Sequence, residues 1–451
     1  MLLGSLLHVA TVKPALELAD VFAAHFDDYL QVAYCTSEQF AAVNAILRCR
    51  TAALSGHLRV CDVCGRVQLV YNSCGNRNCP KPVLSQVEGC GAFERAQWLL
   101  QQGARLLPVP HFHVVFTLDH RVNPLAEVNP EAIYDLLFTT ANQTLKAFAQ
   151  QYPSTSLRTG LGGQIGVTAV LHILRQAQDR PWGQTLQPHI HLHCMVTAGA
   201  LAQTPDPVRL PLAQVRHRLP VPGRGALAAI SGRFLCRVAA SGAARRVTAG
   251  GGLRRPGRGG AQSGDAGSQV GSIFSLAKSY IGKPPKSHRP EVLLKYMSRY
   301  FRRTAISNPR LVALENGQVT FTYYDNRERD EAERGQPKTM TLPAVEFIRR
   351  FLTHVLPFQF KRVRHFGLYA SAKRAVLGVA RGLLGHKPEL PQPAKLDLAE
   401  WLASFVTGDP FACPFCGVGR MRPGREFAPI RGFALWLLIL LGLPVAGRSA
   451  A

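Results

Sequence analysis

Acidic residues are scarce in this chain. Only 28 of its 451 residues are Asp or Glu, against 53 Lys or Arg, which gives a formal net charge of +25 and a pI near 10.1. So large a positive charge favours a polyanionic partner, and nucleic acid is the commonest one.

The chain also lacks the features of an exported or membrane-anchored protein. Its first residues, Met1 to Ala10, contain no basic n-region, so we expect no signal peptide and a cytoplasmic location. The apolar run from Phe433 to Val445 has about thirteen residues, fewer than the roughly 20 that span a bilayer as a helix. Hydrophobic residues make up 47% of the chain, which excludes wholesale disorder, and the length leaves room for two or three domains.

Eleven cysteines are present, several of them in close pairs. This pattern fits metal binding in a reducing cytosol better than a framework of disulfides. Cys61 and Cys64 form a Cys-x2-Cys pair followed by Gly65, and two thiolates on so tight a turn supply half of a tetrahedral zinc site. Cys413 and Cys416 resemble one half of a zinc ribbon, but no second pair follows them in the sequence.

A row of histidines lies in an alternating apolar segment, Pro188 to Val196, which predicts a β-strand. Side chains two residues apart on a strand share a face and are about 6.5 Å apart along it, so His191 and His193 can bind one metal ion. A single histidine in such a strand is usually a packed core residue. Three at a period of two favour a metal, because burying three imidazoles without a ligand or partner is costly.

A second short segment, Lys295 to Tyr300, predicts a basic helix. Residues i and i+4 are neighbours on a helix, so Tyr296 and Tyr300 present two phenols side by side. Two such tyrosines are usually packing residues when taken alone. Beside a metal-binding histidine pair they indicate DNA cutting and rejoining, because a metal can polarise a phosphate that a phenolate attacks. The basic residues expected to contact the DNA backbone are Lys295, Arg299, Arg302 and Arg303.

These segments together resemble the two-tyrosine rolling-circle transposases of the insertion sequence 91 type, members of the HUH (His-hydrophobe-His) nuclease superfamily. The resemblance covers most of residues 10–200 and 285–370, and it is carried by four blocks: Leu107 to Leu118, Pro188 to Leu201, Tyr296 to Leu311 with its Arg303–Asn308 core, and Glu346 to Pro357. It implies an α+β fold in which a central antiparallel sheet carries the histidine pair and a helix presents the tyrosines. A small helical and zinc-binding domain would precede that sheet.

The resemblance also implies a mechanism. Mg²⁺ or Mn²⁺ would be held by His191, His193 and a third ligand, for which His172 is the candidate and Gln184 and His189 are the alternatives. One tyrosine would form a 5′-phosphotyrosine with single-stranded DNA at an element end or target site, in a bacterial or archaeal nucleoid. His111 and His113, in a predicted strand over Val109–Leu118, either line the site or pack.

Two other functions remain open at this point. A plasmid replication initiator or relaxase of the same superfamily shares the tyrosine chemistry. The other is a catalytically inactive, zinc-dependent DNA-binding remnant, which the interruptions of the family pattern described next would explain. The oligomeric state is not indicated by the sequence.

Three eight-residue segments, 82–89, 153–160 and 174–181, interrupt the family pattern. Removing the first restores a Cys-Pro-Lys-Cys motif from Cys79 and Cys90, which we expect to complete a structural Zn²⁺ site with Cys61 and Cys64. Back-translation permits all three segments from near-copies of one DNA sequence, so we interpret them as insertions of a short repeat. If the third is looped out, strands over Gln164–Ile173 and His189–Val196 form a hairpin.

Composition and motifs divide the chain into five segments. We expect, in order, a helical and zinc-binding DNA-recognition domain over 1–100, the first part of the nuclease core over 105–204, a Gly/Arg-rich disordered or frame-disrupted segment over 205–285, the second part of the core with the tyrosine helix over 286–370, and an irregular carboxy-terminal tail with a partial zinc ribbon over 371–451.

Overall fold

The computed structural model describes residues 16–82, 90–151, 163–174, 185–202, 278–281, 289–301, 304–324, 336–405 and 408–428. Several predictions fall outside these ranges: Gln184, Arg302, Arg303, the apolar run Phe433 to Val445, nearly all of the three proposed inserts, and most of the segment 205–285. Among the helices in the described ranges, none is long and apolar enough to cross a membrane.

Nine α-helices lie in the described residues: α1 Leu18–Val32, α2 Ser37–Arg48, α3 Ala92–Gly103, α4 Asn123–Val128, α5 Pro130–Gln151, α6 Pro290–Phe301, α7 Ala344–Leu352, α8 Arg374–Leu383 and α9 Leu398–Ala403. Short 3-10 helices span Ala52–Leu54, His120–Val122, Asn308–Arg310 and Ser371–Lys373. Helix α2 begins with a reciprocal cap, in which Thr36 and Gln39 each accept the other's backbone N–H.

Thirteen strands are present in the same residues: β1 Gly56–Cys61, β2 Val67–Tyr71, β3 His111–Thr117, β4 Gly163–Gln164, β5 Gly166–Leu174, β6 Pro188–Thr197, β7 Leu201–Ala202, β8 Lys278–Ile281, β9 Leu311–Glu315, β10 Gln318–Tyr324, β11 Pro337–Pro343, β12 Val363–Gly367 and β13 Met421–Phe427. They form four sheets with the orders β12-β5-β6-β3-β8, β13-β1-β2, β11-β10-β9 and β4-β7.

The five-stranded sheet is antiparallel throughout. Strands β3, β5 and β6 match the predicted strands, so the expected α+β fold with a central antiparallel sheet and the expected β5–β6 hairpin are confirmed. Side chains alternate between the two faces of a strand. Apolar residues such as Phe112, Leu192 and Val196 face a core that includes Phe138 of α5, and the opposite face carries the histidines.

The register of this sheet determines which histidines meet. His172 of β5 lies opposite His191 of β6, and His193 lies opposite Val170 of β5 and Val115 of β3. The ladder shifts between His172 and Leu174, where the third proposed insert would begin. The histidine register is therefore preserved up to that point.

The amino-terminal helices share a hydrophobic core with the segment that follows the tyrosine helix. Phe22 of α1 meets Phe351 of α7 edge to face, with ring centroids 5.4 Å apart. Asn308, the last residue of the Arg303–Asn308 block, accepts the backbone N–H of Leu18 at 3.2 Å and so caps α1. Hydrophobic contacts thus cross the predicted boundaries at 100 and 286, and those boundaries stay a prediction.

The carboxy-terminal tail is more ordered than predicted. Helices α8 and α9 and strand β13 lie within 371–428. Strand β13 pairs with β1 from Gly56–Phe427 to Cys61–Met421, with a register shift between His57 and Arg59. The prediction of an irregular tail is wrong for these residues. Strand β13 depends on a partner far away in sequence, and its own residues show no clear alternation.

Substitution of Gly367, at the end of β12, tests how closely its backbone approaches the segment before β5. Gly367 has φ +61°, and a Cβ there would clash with the carbonyl oxygen of Ile165. Gly317 has φ +71° in the Asn316-Gly317 turn of the β9–β10 hairpin, with open space around it. We expect Gly317→Ala to cost about 1 kcal/mol, from backbone strain alone, and Gly367→Ala to cost more than about 2 kcal/mol. Urea unfolding followed by circular dichroism measures both, and equal costs would contradict the close approach.

Candidate metal centre and tyrosine helix

Three histidines converge on one face of the central sheet. His172 of β5 and His191 and His193 of β6 are all buried, and their ligand nitrogens lie within 4.8 Å of one another. His172 Nδ1 and His191 Nε2 are 2.9 Å apart. Two nitrogens that bind one metal at right angles, each about 2.1 Å from it, would be about 3.0 Å apart. The three rings therefore have the spacing of a metal-binding set.

Hydrogen bonds orient two of these rings. His191 Nδ1 donates to the carbonyl oxygen of His189 at 2.8 Å, which fixes the tautomer and leaves Nε2 facing His172. His193 Nδ1 lies 2.8 Å from His113 Nε2 of β3. A partner on the second nitrogen is what a metal-binding imidazole usually has. His113 thus orients the ring of His193, in the same way that the backbone carbonyl of His189 orients the ring of His191.

Burial keeps the imidazoles of His113 and His193 neutral. Desolvation, reinforced by the neighbouring His191, lowers the pKa of His113 to about 4. The same two causes hold the pKa of His193 well below its usual range. Neutral imidazole is the form that binds metals, so His193 is in its ligand form at neutral pH.

His111 has a different role. Its Nδ1 donates to the carbonyl oxygen of Val109 at 2.8 Å, and the hydroxyl of Tyr369 donates to its Nε2 at 2.6 Å. The same hydroxyl accepts the backbone N–H of Leu107 at 3.1 Å. Both ring nitrogens are therefore occupied, and His111 is a packing residue. The sequence left His111 and His113 undecided between the two roles, and the structure separates them.

The tyrosine helix α6 packs on the histidine face. Leu293, Leu294 and Met297 are buried with Val170 and Met195 of the sheet. The half-buried ring of Tyr296 meets the ring of His113 edge to face, with centroids 5.3 Å apart. Tyr296 therefore lies beside the residue that supports His193.

The remaining residues of the helix are only partly described. Lys295 is exposed at the surface of α6. Tyr300 and Arg299 belong to α6, but the structure describes only their backbone. Tyr300 follows Tyr296 by one helical turn, the spacing at which two residues are neighbours on a helix.

The cysteines form two separate clusters, and this corrects the predicted zinc site. Cys49, Cys74, Cys79 and Cys90 form one, and Cys61, Cys64, Cys413 and Cys416 form the other. The prediction that Cys61 and Cys64 share a site with Cys79 and Cys90 is wrong. Cys61 and Cys64 lie at the closed end of the β1–β2 hairpin, whereas Cys49 precedes β1 and Cys74 follows β2. Strands of this length separate the two ends by roughly 17 Å.

Both clusters fit zinc. Four sulfurs arranged tetrahedrally around Zn²⁺ at 2.3 Å are about 3.8 Å apart. The measured Sγ–Sγ distances are 3.5 Å for Cys74–Cys90, 3.7 Å for Cys61–Cys416 and 3.8 Å for Cys64–Cys413. Cys79 and Cys90 meet in one cluster, as the Cys-Pro-Lys-Cys motif implied, although eleven positions separate them.

Five ligand or support residues were not assigned to a site from the sequence: Cys49, Cys74, Cys413, Cys416 and His113. Cys49 belongs to no Cys-x2-Cys pair and gave no signal. The partners of Cys413 and Cys416 had a signal, since both Cys61–Gly65 and Cys413–Gly417 read Cys-x2-Cys-Gly. His113 was considered as a residue that lines the site, but its contact with His193 depends on strand register.

Two family models match this chain. A family model described as "Putative transposase" matches residues 275–376, which include α6, and one described as "Transposase zinc-binding domain" matches residues 21–118. No solved structure matches the chain.

Two relatives cover most of the chain. A protein named "Putative transposase y4qJ" from Sinorhizobium fredii (strain NBRC 101917 / NGR234) is 34% identical over 423 residues, covering 92% of this chain and 96% of the relative. The "Transposase for insertion sequence element IS801" of Pseudomonas savastanoi pv. phaseolicola is 28% identical over 399 residues, covering 83% of this chain and 81% of the relative. With the cysteine clusters and the histidine row in place, the chain belongs to the insertion sequence 91 family of transposases, DNA-processing proteins with an amino-terminal zinc-binding domain.

Proposed function

We propose that this transposase nicks and rejoins single-stranded DNA at the ends of its mobile element, through a 5′-phosphotyrosine intermediate. The observation that carries the proposal is the contact between Tyr296 and His113, beside the row His172, His191 and His193. It brings a phenol close to three nitrogens that have the spacing of a metal-binding set.

The histidine row would hold Mg²⁺ or Mn²⁺. His191 and His193 would each bind through Nε2, since Nδ1 of each ring faces its supporting partner, and His172 would be the third ligand. When bound, such a metal polarises the scissile phosphate and orients it for attack. His172 is favoured over His189 because its ligand nitrogen lies within 4.8 Å of those of His191 and His193.

The tyrosines would supply the nucleophile. As the phenol oxygen of Tyr296 or Tyr300 forms a bond to phosphorus it loses its proton, and the bond to the 3′ oxygen breaks, so that a free 3′-OH leaves. The positive charge of Lys295, Arg299, Arg302 and Arg303 would stabilise the phenolate and hold the DNA backbone. The second tyrosine could then act on the second strand while the first remains joined to DNA.

The proposal favours a working transposase over the two alternatives. Both curated relatives carry the name transposase rather than replication initiator or relaxase. An inactive remnant would be expected to lose the histidine geometry, yet His172 keeps its register with His191 beside the third proposed insert. The division of the chain into five segments remains a proposal. The insertion of a DNA repeat remains a proposal about the gene.

His113 should act as a positioning residue for His193. We expect His193→Ala to abolish cleavage of a labelled single-stranded oligonucleotide. His113→Ala should instead raise the Mn²⁺ concentration needed for half-maximal cleavage by about 10- to 100-fold, because the supporting hydrogen bond is lost. His113→Gln should recover part of this loss, since its amide oxygen can accept from His193 Nδ1. An unchanged Mn²⁺ dependence in His113→Ala would contradict the role.

The tyrosines give a test of the covalent step. We expect the double variant Tyr296→Phe/Tyr300→Phe to form no protein–DNA adduct, and at least one single variant to form it still, while each single variant blocks complete transposition. Denaturing gels of protein incubated with a labelled oligonucleotide and Mn²⁺ measure the adduct. Tyr34→Phe is the matched control, because Tyr34 is 85% exposed and lies outside α6. An adduct that persists in the double variant would assign the nucleophile elsewhere.

A further inference from the structure

The second cysteine cluster joins two parts of the chain that are far apart in sequence. Cys61 ends β1 and Cys64 lies in the turn after it, and Cys413 and Cys416 come just before β13, about 350 positions later. Strand β13 pairs antiparallel with β1, which also pairs with β2. One three-stranded sheet therefore contains residues from near both ends of the described chain.

In both turns, backbone N–H groups point at a cysteine sulfur. The backbone N–H groups of Val63 and Cys64 donate to Cys61 Sγ, each at 3.4 Å. In the other turn Phe415 N–H donates to Cys413 Sγ and Gly419 N–H donates to Cys416 Sγ, again at 3.4 Å. Donors aimed at a sulfur stabilise its thiolate form, which is the form that binds a metal.

Each turn is closed by a glycine that the geometry requires. Gly65 has φ +68° and Gly417 has φ +69°, a conformation that L side chains rarely adopt. Two matching Cys-x2-Cys-Gly turns at the end of a three-stranded antiparallel sheet are the parts of a zinc ribbon. Here one turn and two strands come from residues 56–71, and the other turn and the third strand come from residues 413–427.

The two halves also fit each other without reference to a metal. Asp62 accepts the backbone N–H of Arg420 at 2.7 Å and the Nε of Arg422 at 3.0 Å. The guanidinium of Arg66 lies 5.4 Å from the ring centroid of Phe415. At Gly419 a Cβ would lie only 2.5 Å from Cys61 Sγ, so this position has no space for a side chain.

We propose that Cys61, Cys64, Cys413 and Cys416 bind a second structural Zn²⁺ and form a discontinuous zinc ribbon. Four thiolates with no oxygen ligand favour zinc among the common divalent metals. Cys61 and Cys64 lie within the matched zinc-binding domain, which ends at residue 118, whereas Cys413 and Cys416 lie far beyond it. The site fastens the segment 408–428 to the β1–β2 hairpin, so the amino-terminal module is complete only when the carboxy-terminal part of the chain is present.

The two zinc sites should differ in how easily they lose metal. In the ribbon Cys64 is exposed and Cys416 is partly exposed, whereas three of the four cysteines in the first cluster are buried. A chelator reaches an exposed ligand sooner than a buried one. Zinc should therefore leave the ribbon first.

The test is the zinc content of the purified full-length chain, measured by elemental mass spectrometry, with release to a coloured chelator followed over time. We expect two zinc ions per chain, released in a fast and a slow phase. Cys413→Ser/Cys416→Ser should contain one zinc and lack the fast phase. Cys35→Ser, which replaces a cysteine outside both clusters, should keep two. One zinc in the unaltered chain, or two in the double variant, would overturn the proposal.

A second measurement avoids dependence on variants that fold poorly. During the fast phase the unaltered protein is pulsed with an alkylating reagent, and the labelled cysteines are identified by peptide mass spectrometry. Cys61, Cys64, Cys413 and Cys416 should become labelled together, ahead of Cys49, Cys74, Cys79 and Cys90. Labelling of Cys413 and Cys416 before the chelator is added, with Cys61 and Cys64 still protected, would contradict a shared metal.

Discussion

The pairing register of β5, β6 and β3 is the constraint on which the site depends. Alternation along these strands puts apolar residues against α5 and puts His172, His191 and His193 together on the opposite face. A shift of one residue in β6 would turn its histidines into the apolar core, where imidazoles without a partner are costly. Hydrophobic burial on one face therefore fixes the geometry of the polar face, and the packing of α6 then brings Tyr296 to the same place.

The cysteine clusters have a different role, which is to hold long-range connections. The first cluster ties the end of α2 to the segment after β2, and the second ties the β1–β2 hairpin to β13. The contact of α1 with α7 and the Asn308 cap add further links between early and late parts of the chain. Contacts between residues hundreds of positions apart therefore join the early and late parts of the chain, and the zinc-binding module takes part in these contacts.

Local patterns predicted the elements that carry the chemistry. The period of two around His191 and the basic helix around Tyr296 are signals contained within ten residues, and both elements formed as predicted. The grouping of the cysteines did not follow from the sequence, because eleven thiols allow many groupings and only the β1–β2 hairpin separates Cys61 from Cys79. The role of His113 and the formation of strand β13 depend on partners 80 or more positions away in sequence. A local sequence pattern cannot predict such partners.

The central claim is that His172, His191 and His193 bind one catalytic metal. Electron spin-echo spectroscopy of Mn²⁺ added to the zinc-loaded full-length protein tests this directly, because it detects ¹⁴N nuclei of imidazoles bound to the ion. The account predicts nitrogen couplings from histidine in the unaltered chain and their loss in His191→Ala/His193→Ala. A spectrum of fully hydrated Mn²⁺, or nitrogen couplings that survive in that variant, would contradict it.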